Sequence, residues 1–382
     1  MAANTVGAFG AYIAALCGDR PQRLSFRQPR FKSLAAWQKL ARARAVECLA
    51  EPPAEKPPRV KVLARYQIDG LDIEELRWQL SAGPATDALF LKPAGATGKL
   101  PGVVGLHDHG GNKYFGCAKI TRRRGVQHPL MIDHQQRYYS GRAWANELAH
   151  RGYAVLVHDT FPFASRRVHT ADVLEPVRAN AAAAEPVSDA DIEAYNHWAG
   201  SHEHIWAKTL SAAGTTWPAM VLREDRVAVD LLCARPEVDA QRIGCMGLSG
   251  GGCRTVFLGG MDKRIRAAVC VGFMTTNRDL ALQKCWTHTW MAFPPLLGAD
   301  LDFPEILGLR VPLPTMVLNC NEDGLYTLPE MKRADRILRE VYKKAGAKEN
   351  YRCNFYPGGH KFDRPMQEDA FAWLDRSLGK KS

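Results

Sequence analysis

No apolar run in this 382-residue chain reaches the roughly 18 residues that a membrane-spanning helix needs, so a soluble protein is expected. The ten cysteines include no Cys-x-x-Cys pair. They lie singly from Cys17 to Cys353, several inside apolar strand-like runs, which excludes a sequence-readable disulfide framework and suits reduced core thiols in a cytoplasmic protein. The Gly-x-Gly-x-x-Gly and Walker A spacings of nucleotide-binding loops are absent, and so is the His-Glu-x-x-His spacing that sets two metal ligands on one helical face. No cofactor and no metal are therefore expected. No repeat stands out, and the only biased tract, Ala179–Ala184, reads as a solvated linker or a short helix.

Net charge is the feature in excess. The chain carries a formal +11 with a pI near 9.2, which favours polyanions only where the charge is concentrated. Residues 1–60 hold ten basic side chains against four acidic ones, Asp19, Glu47, Glu51 and Glu55, so +6 of the total sits in the first sixth of the chain. No nucleic-acid motif accompanies it, and a basic nucleic-acid-binding module remains only as an alternative from a different class.

Residues 1–58 read as an N-terminal helical extension. Val6–Cys17 is apolar but lacks a preceding positive charge and a cleavage site, so it reads as a buried or docking helix, with a secretory signal as the alternative. Ser33 can cap a helix through Leu34, Trp37, Leu40, Ala41 and Val46, which Pro52-Pro53 and Pro57-Pro58 stop. The extension is a candidate contact between subunits.

Residues 59–382 read as one catalytic domain. The runs Val60–Gln67, Asp72–Leu80 and Asp87–Lys92, parted by Asp69-Gly70 and Gly83-Pro84, suit antiparallel hairpins. From Pro101 onward, short apolar runs alternate with helical stretches: Val103–Leu106, Ala154–Val157, Ile243–Met246, Ala267–Val271, Thr315–Leu318 and Tyr351–Phe355. Strands apolar on both faces with helices between them require a mostly parallel central sheet covered by helices. Two connections, 160–191 and 272–312, are too long for simple crossovers and read as lid-like insertions.

The sharpest local signal is Gly247-Leu248-Ser249-Gly250-Gly251, directly after a strand run and directly before the helical run Gly252–Met261. This is the context of a nucleophile elbow, a turn so tight that the positions two before and two after the serine must lack a Cβ. A histidine base and an acid should follow in chain order. Asp323, beyond the strand Thr315–Leu318, is the candidate acid, with Glu322 the runner-up. His360, in the turn after the last strand, is the candidate base, since imidazole accepts and returns a proton near neutral pH.

An oxyanion hole would combine the backbone amide of Gly250 with one from the loop Leu106-His107-Asp108-His109-Gly110-Gly111, from His109 or Gly110, in a register the sequence leaves open. A rival reading takes His107, Asp108 and His109 as metal ligands, although adjacent residues rarely converge on one ion. His197, His202, Glu203, His204, Trp206, Trp217, His288, Trp290 and Phe293 read equally as pocket lining or lid core. Arg122–Arg124 and Arg166-Arg167 read as solvated faces.

With these segments in place, the chain resembles the α/β-hydrolase superfamily, in the branch of acetyl xylan esterases and dienelactone hydrolase-like proteins. The likeness runs from about Phe90 to the C-terminus through Leu106–Gly111, Arg151–Asp159, Asp239–Gly252, the Asp323 turn and Pro357–Phe362. It implies Ser249 as nucleophile, Asp323 as acid and His360 as base. One departure stands out: where many members have Gly after the first His of the oxyanion loop, this chain has Asp108. Dienelactone hydrolases use Cys at the elbow, so Ser249 favours an esterase. The expected activity is a serine carboxylesterase acting on acetylated carbohydrate or a related small ester, without nucleic-acid or membrane partners. A serine peptidase or amidase on the same fold is the alternative.

Overall fold

All nine strand-like runs form strands, and they join into one sheet in the spatial order β1-β2-β3-β5-β4-β6-β7-β8-β9. The computed structural model describes residues 3–179, 181–182 and 184–379. The strands are β1 (Val60–Ile68), β2 (Leu71–Trp78), β3 (Thr86–Pro93), β4 (Leu100–Leu106), β5 (Ala154–His158), β6 (Val238–Leu248), β7 (Ile265–Val271), β8 (Thr315–Cys320) and β9 (Tyr351–Tyr356). The pairs β1-β2, β2-β3 and β3-β5 are antiparallel, and every pair from β5-β4 to β8-β9 is parallel.

Burial explains this arrangement. Every residue of β5 and β8 is buried, because helices cover both faces of the parallel half, whereas β1 is exposed or half-buried throughout as an edge strand. In β4, Val104 and Leu106 join one apolar cluster while Val103 joins the other. The chain passes from β4 to β5 on one side and then crosses to β6 on the other. The loops leaving the carboxyl ends of β4 and β6 therefore part from each other, which is where an open α/β sheet forms a crevice.

The N-terminal segment is more than an appendage. Ser33 caps the helix Leu34–Leu49 by accepting from the Ala36 amide at 3.3 Å, and Trp37, Ala41, Ala45 and Leu49 on its inward face join the larger core cluster. Trp37 Nε1 donates to the Leu24 carbonyl at 2.7 Å, and Arg23 and Arg44 both hold Asp300 at 2.6 Å. By contrast, Gly10 alone is buried within Val6–Cys17. The segment forms a 3₁₀ turn and the helix Gly10–Cys17, tied down through Thr5 to the Ala281 and Leu282 carbonyls, with Phe9, Tyr12 and Leu16 exposed.

The first long connection extends further than its sequence pattern suggests. Helices Glu175–Arg178, Asp189–Ser201 and Glu203–Ala212 lie between β5 and the helix Trp217–Cys233. Asn180 and Ala183 of the Ala179–Ala184 tract lie outside the described residues. The second connection holds short helical turns and the helix Phe303–Gly308. Arg166 corrects its sequence reading: it is 3% exposed, ion-paired to Glu224 at 2.5 Å, and no part of a solvated face. The ten cysteines are all unpaired, and six of them are buried.

Candidate active site

β6 ends at Leu248 and the helix Gly250–Met261 begins two residues later, so Ser249 makes the turn alone, at φ 58° and ψ −120°. Holding a residue with a Cβ at positive φ costs on the order of 1–3 kcal/mol, which the packing around it must offset. The two flanking glycines have one physical cause. A Cβ on either Gly247 or Gly251 would stand deep inside the contact distance of the Leu106 carbonyl oxygen at the end of β4. Because a backbone oxygen of a central strand cannot step aside, Gly251→Ala is expected to destabilise the fold by about 3 kcal/mol or more. A chemical-denaturation midpoint unchanged from wild type would refute this account of the turn.

The loops after β8 and β9 bring the other two residues together. His360 Nδ1 lies 2.7 Å from Asp323 Oδ2, and the Asp323 side chain is 1% exposed. Asp323 Oδ1 accepts from the Leu325 amide at 3.0 Å, which leaves its other oxygen for the imidazole. Glu322 is exposed and contributes its backbone instead, donating to the Gly358 carbonyl at 3.1 Å and so tying the two loops together. The carboxylate of Asp279 steadies the far end of the Asp323 loop, accepting from the Thr327 amide at 3.0 Å and hydroxyl at 2.8 Å. His360 Nε2 is buried and has no partner among the described residues. The ring packs over Gly272, where a Cβ would come within 3.0 Å of Cε1.

Ser249, Gly250, His109, Gly110, His360, Phe273, Leu325 and His288 line one cavity of about 270 Å³. The loop after β4 packs closely on the start of the helix Gly250–Met261, with the His109 nitrogen 2.8 Å from where a Cβ on Gly250 would be. Neither the His109 nor the Gly110 amide donates within the protein, among the described residues.

The side chains of His107, Asp108 and His109, the rival metal-ligand set, diverge. His107 Nδ1 points at the Asp108 carbonyl at 3.0 Å. Asp108 accepts from His134 at 3.1 Å and from the Tyr139 hydroxyl. His109 Nε2 reaches Glu203 at 2.7 Å, and Lys113 joins the same carboxylate oxygen at 2.6 Å. Burial disfavours ionised Asp108 and Glu203, yet both carboxyls are held below their usual range. His134 and Lys119 do so for Asp108, and His109 and Lys113 for Glu203. Burial and the Lys113 ammonium push His109 down, and because Nδ1 accepts from the Gly111 amide, Nε2 carries the hydrogen donated to Glu203.

Of the ambiguous aromatics and histidines, His288 lines the cavity, whereas Trp206 and Trp217 pack with Phe161 in the core. His202 lies against a separate cavity and Trp290 is 46% exposed. Lys119 escaped the sequence reading. It sits between Ala118 and Ile120 with no motif around it, yet its ammonium reaches the Asp108 and His109 carbonyls in the loop after β4.

No protein-family model matches the chain. The Bacillus subtilis (strain 168) protein named "Putative hydrolase YtaP" is 23% identical over 331 residues, 86% of this chain and 96% of that one. Among solved structures, a "putative acetyl xylan esterase" from Bacteroides fragilis NCTC 9343 superposes with a TM-score of 0.68 at 18% identity, over 92% of this chain and 83% of its own. A glucuronoyl esterase from Solibacter usitatus gives 0.65 at 14% identity, over 95% and 98%. The fold is that of the α/β-hydrolases. Because β6, β7, β8 and β9 pair in parallel, the turn at Ser249, the loop of Asp323 and the loop of His360 all leave the same edge of the sheet. An acetyl xylan esterase from Paenibacillus sp. R4 shares this α/β-hydrolase architecture at a TM-score of 0.52 and 18% identity, over 95% of this chain and 98% of its own.

Proposed function

We propose that the chain is a serine carboxylester hydrolase that works through an acyl-enzyme. One observation carries this reading: His360 turns Nδ1 to a buried carboxylate and leaves Nε2 unpartnered in the cavity that also holds Ser249. The carboxylate of Asp323 keeps the proton on Nδ1, so Nε2 keeps its lone pair for the Ser249 hydroxyl. As Ser249 Oγ bonds to the ester carbonyl carbon, its proton passes to His360 Nε2 and the carbonyl oxygen becomes an oxyanion. In this reading the amide of Gly250 and an amide of the loop after β4, from His109 or Gly110, stabilise that oxygen. Collapse of the intermediate breaks the bond to the alcohol oxygen, which takes the proton from His360. Water then repeats the sequence on the acyl-serine, releasing the acid and restoring the Ser249 hydroxyl.

The cavity supports a small acyl group. About 270 Å³, partly walled by Leu248, Phe273 and Leu325, lies at the lower end of what ligand pockets enclose. The acetyl xylan esterases of similar fold make acetylated carbohydrate the substrate class to test first. Turnover of p-nitrophenyl acetate should exceed that of p-nitrophenyl octanoate and of aminoacyl p-nitroanilides by at least about 100-fold. Faster turnover of an anilide would replace the esterase reading with a peptidase or amidase.

A further inference from the structure

Lys119 is fully buried, and among the described residues it has no carboxylate within ion-pairing distance. Burying an ammonium without such a partner is costly unless its protons are otherwise engaged. Here they are. Nζ donates to the Asp108 carbonyl at 2.9 Å and to the His109 carbonyl at 2.9 Å, and it lies 4.6 Å from the centroid of the Phe163 ring.

Those two carbonyls are not arbitrary. The Asp108 carbonyl and the His109 N–H are two ends of one peptide group, and the His109 carbonyl and the Gly110 N–H are two ends of the next. A cation on each oxygen draws electron density through the amide and strengthens the hydrogen at its far end as a donor. Each oxygen is also held by a second donor, the Asp108 carbonyl by His107 Nδ1 at 3.0 Å and the His109 carbonyl by the Asn112 amide at 3.1 Å. Both planes are thereby fixed before any substrate arrives.

We propose that Lys119 is the positioning residue of the oxyanion site, its ammonium orienting and polarising the two peptide groups that present the His109 and Gly110 N–H donors to the substrate oxyanion. This rests on the reading of Ser249 as the nucleophile. Lys119 acts through the backbone and touches no substrate. Its contribution grows as negative charge develops on the oxygen, so it belongs to the transition state and not to substrate binding.

Burial pulls the Lys119 ammonium down to about 8, and Lys113 and Arg254 act in the same direction, while Asp108 and Asp159 oppose them. The kcat/KM of the wild type should therefore decline above about pH 8. Stability should behave oppositely over that window. A lysine whose native value lies below its unfolded one binds fewer protons folded than unfolded, so its contribution to stability rises with pH between the two values. A merely structural lysine predicts no such divergence.

The test compares wild type with Lys119→Met and Lys119→Gln, using p-nitrophenyl acetate and trifluoroacetone, whose adduct with a serine carries an oxyanion. Both variants should lose about 100-fold in kcat/KM and a similar factor in trifluoroacetone affinity, with KM within about threefold of wild type. An active wild type with both variants unimpaired, or with the loss confined to KM, overturns the role of Lys119 alone. A wild type inactive on esters removes the underlying reading and this one together. If neither variant folds, the wild-type pH profile decides. A decline above about pH 8 in fully folded protein supports the role, and a flat profile to pH 10 contradicts it.

Discussion

Ser249→Ala is expected to lower kcat/KM on p-nitrophenyl acetate by about 10⁴-fold or more while leaving the protein folded. The size follows from the number of functions that pass through one atom. Without Oγ there is no covalent intermediate, and the His360 imidazole has no proton to accept. Residual turnover would come from water attacking an ester held by the amides of Gly250 and His109. Folding should survive because alanine meets the same positive φ of 58° as serine does, and Ser249 Oγ makes no hydrogen bond that the fold depends on among the described residues. A variant that keeps more than about a tenth of wild-type turnover would place the nucleophile elsewhere.

Asp323→Asn should cost about 10⁴-fold in kcat with only a small change in melting temperature. The shapes of the two side chains are nearly equal, so the hydrogen bond to His360 Nδ1 at 2.7 Å can persist in the variant. Its direction is what changes. Asp323 Oδ1 is occupied by the Leu325 amide at 3.0 Å, which selects the carbonyl oxygen of an asparagine for that side and turns its NH₂ toward the imidazole. The imidazole must then accept on Nδ1 and carry its proton on Nε2, where a base needs a lone pair. A loss matched by unfolding would make Asp323 a structural anchor, and an unchanged kcat would remove it from the reaction.

The sheet was legible because its strands obey a strong rule. Runs such as Val103–Leu106 and Thr315–Leu318 are apolar on both faces, and only a sheet covered on both sides buries them. Strand ends were less legible. β6 begins at Val238, before its apolar run, because Asp239, Gln241 and Arg242 extend the strand with polar side chains. Ser249, Asp323 and His360 lie in the turns just beyond β6, β8 and β9, and the parallel direction of those strands puts the three turns on one edge.

What holds the oxyanion loop was not legible, and for a plain reason. Glu203, His134, Tyr139 and Lys119 reach it from other segments, and Glu203 is 94 residues from His109. No spacing rule connects residues that meet only after folding. Arg166 misled for a related reason. An Arg-Arg pair in a loop resembles a solvated face until Glu224 arrives from the helix Trp217–Cys233 and buries one of the two. Of the two readings of Val6–Cys17, buried or docking, the second holds: the segment is tied through Thr5 to the Ala281 and Leu282 carbonyls while Phe9, Tyr12 and Leu16 stay exposed.

Fluorophosphonate labelling followed by peptide mass analysis tests the central claim most directly. The reagent bonds covalently only to a serine whose hydroxyl is activated by a base, so it reports nucleophile and base in one experiment. The account predicts a single phosphonyl group on the tryptic peptide Ile243–Arg254, at Ser249, with labelling strongly slowed in His360→Ala. A label on any other residue, or no label on folded protein, would contradict it.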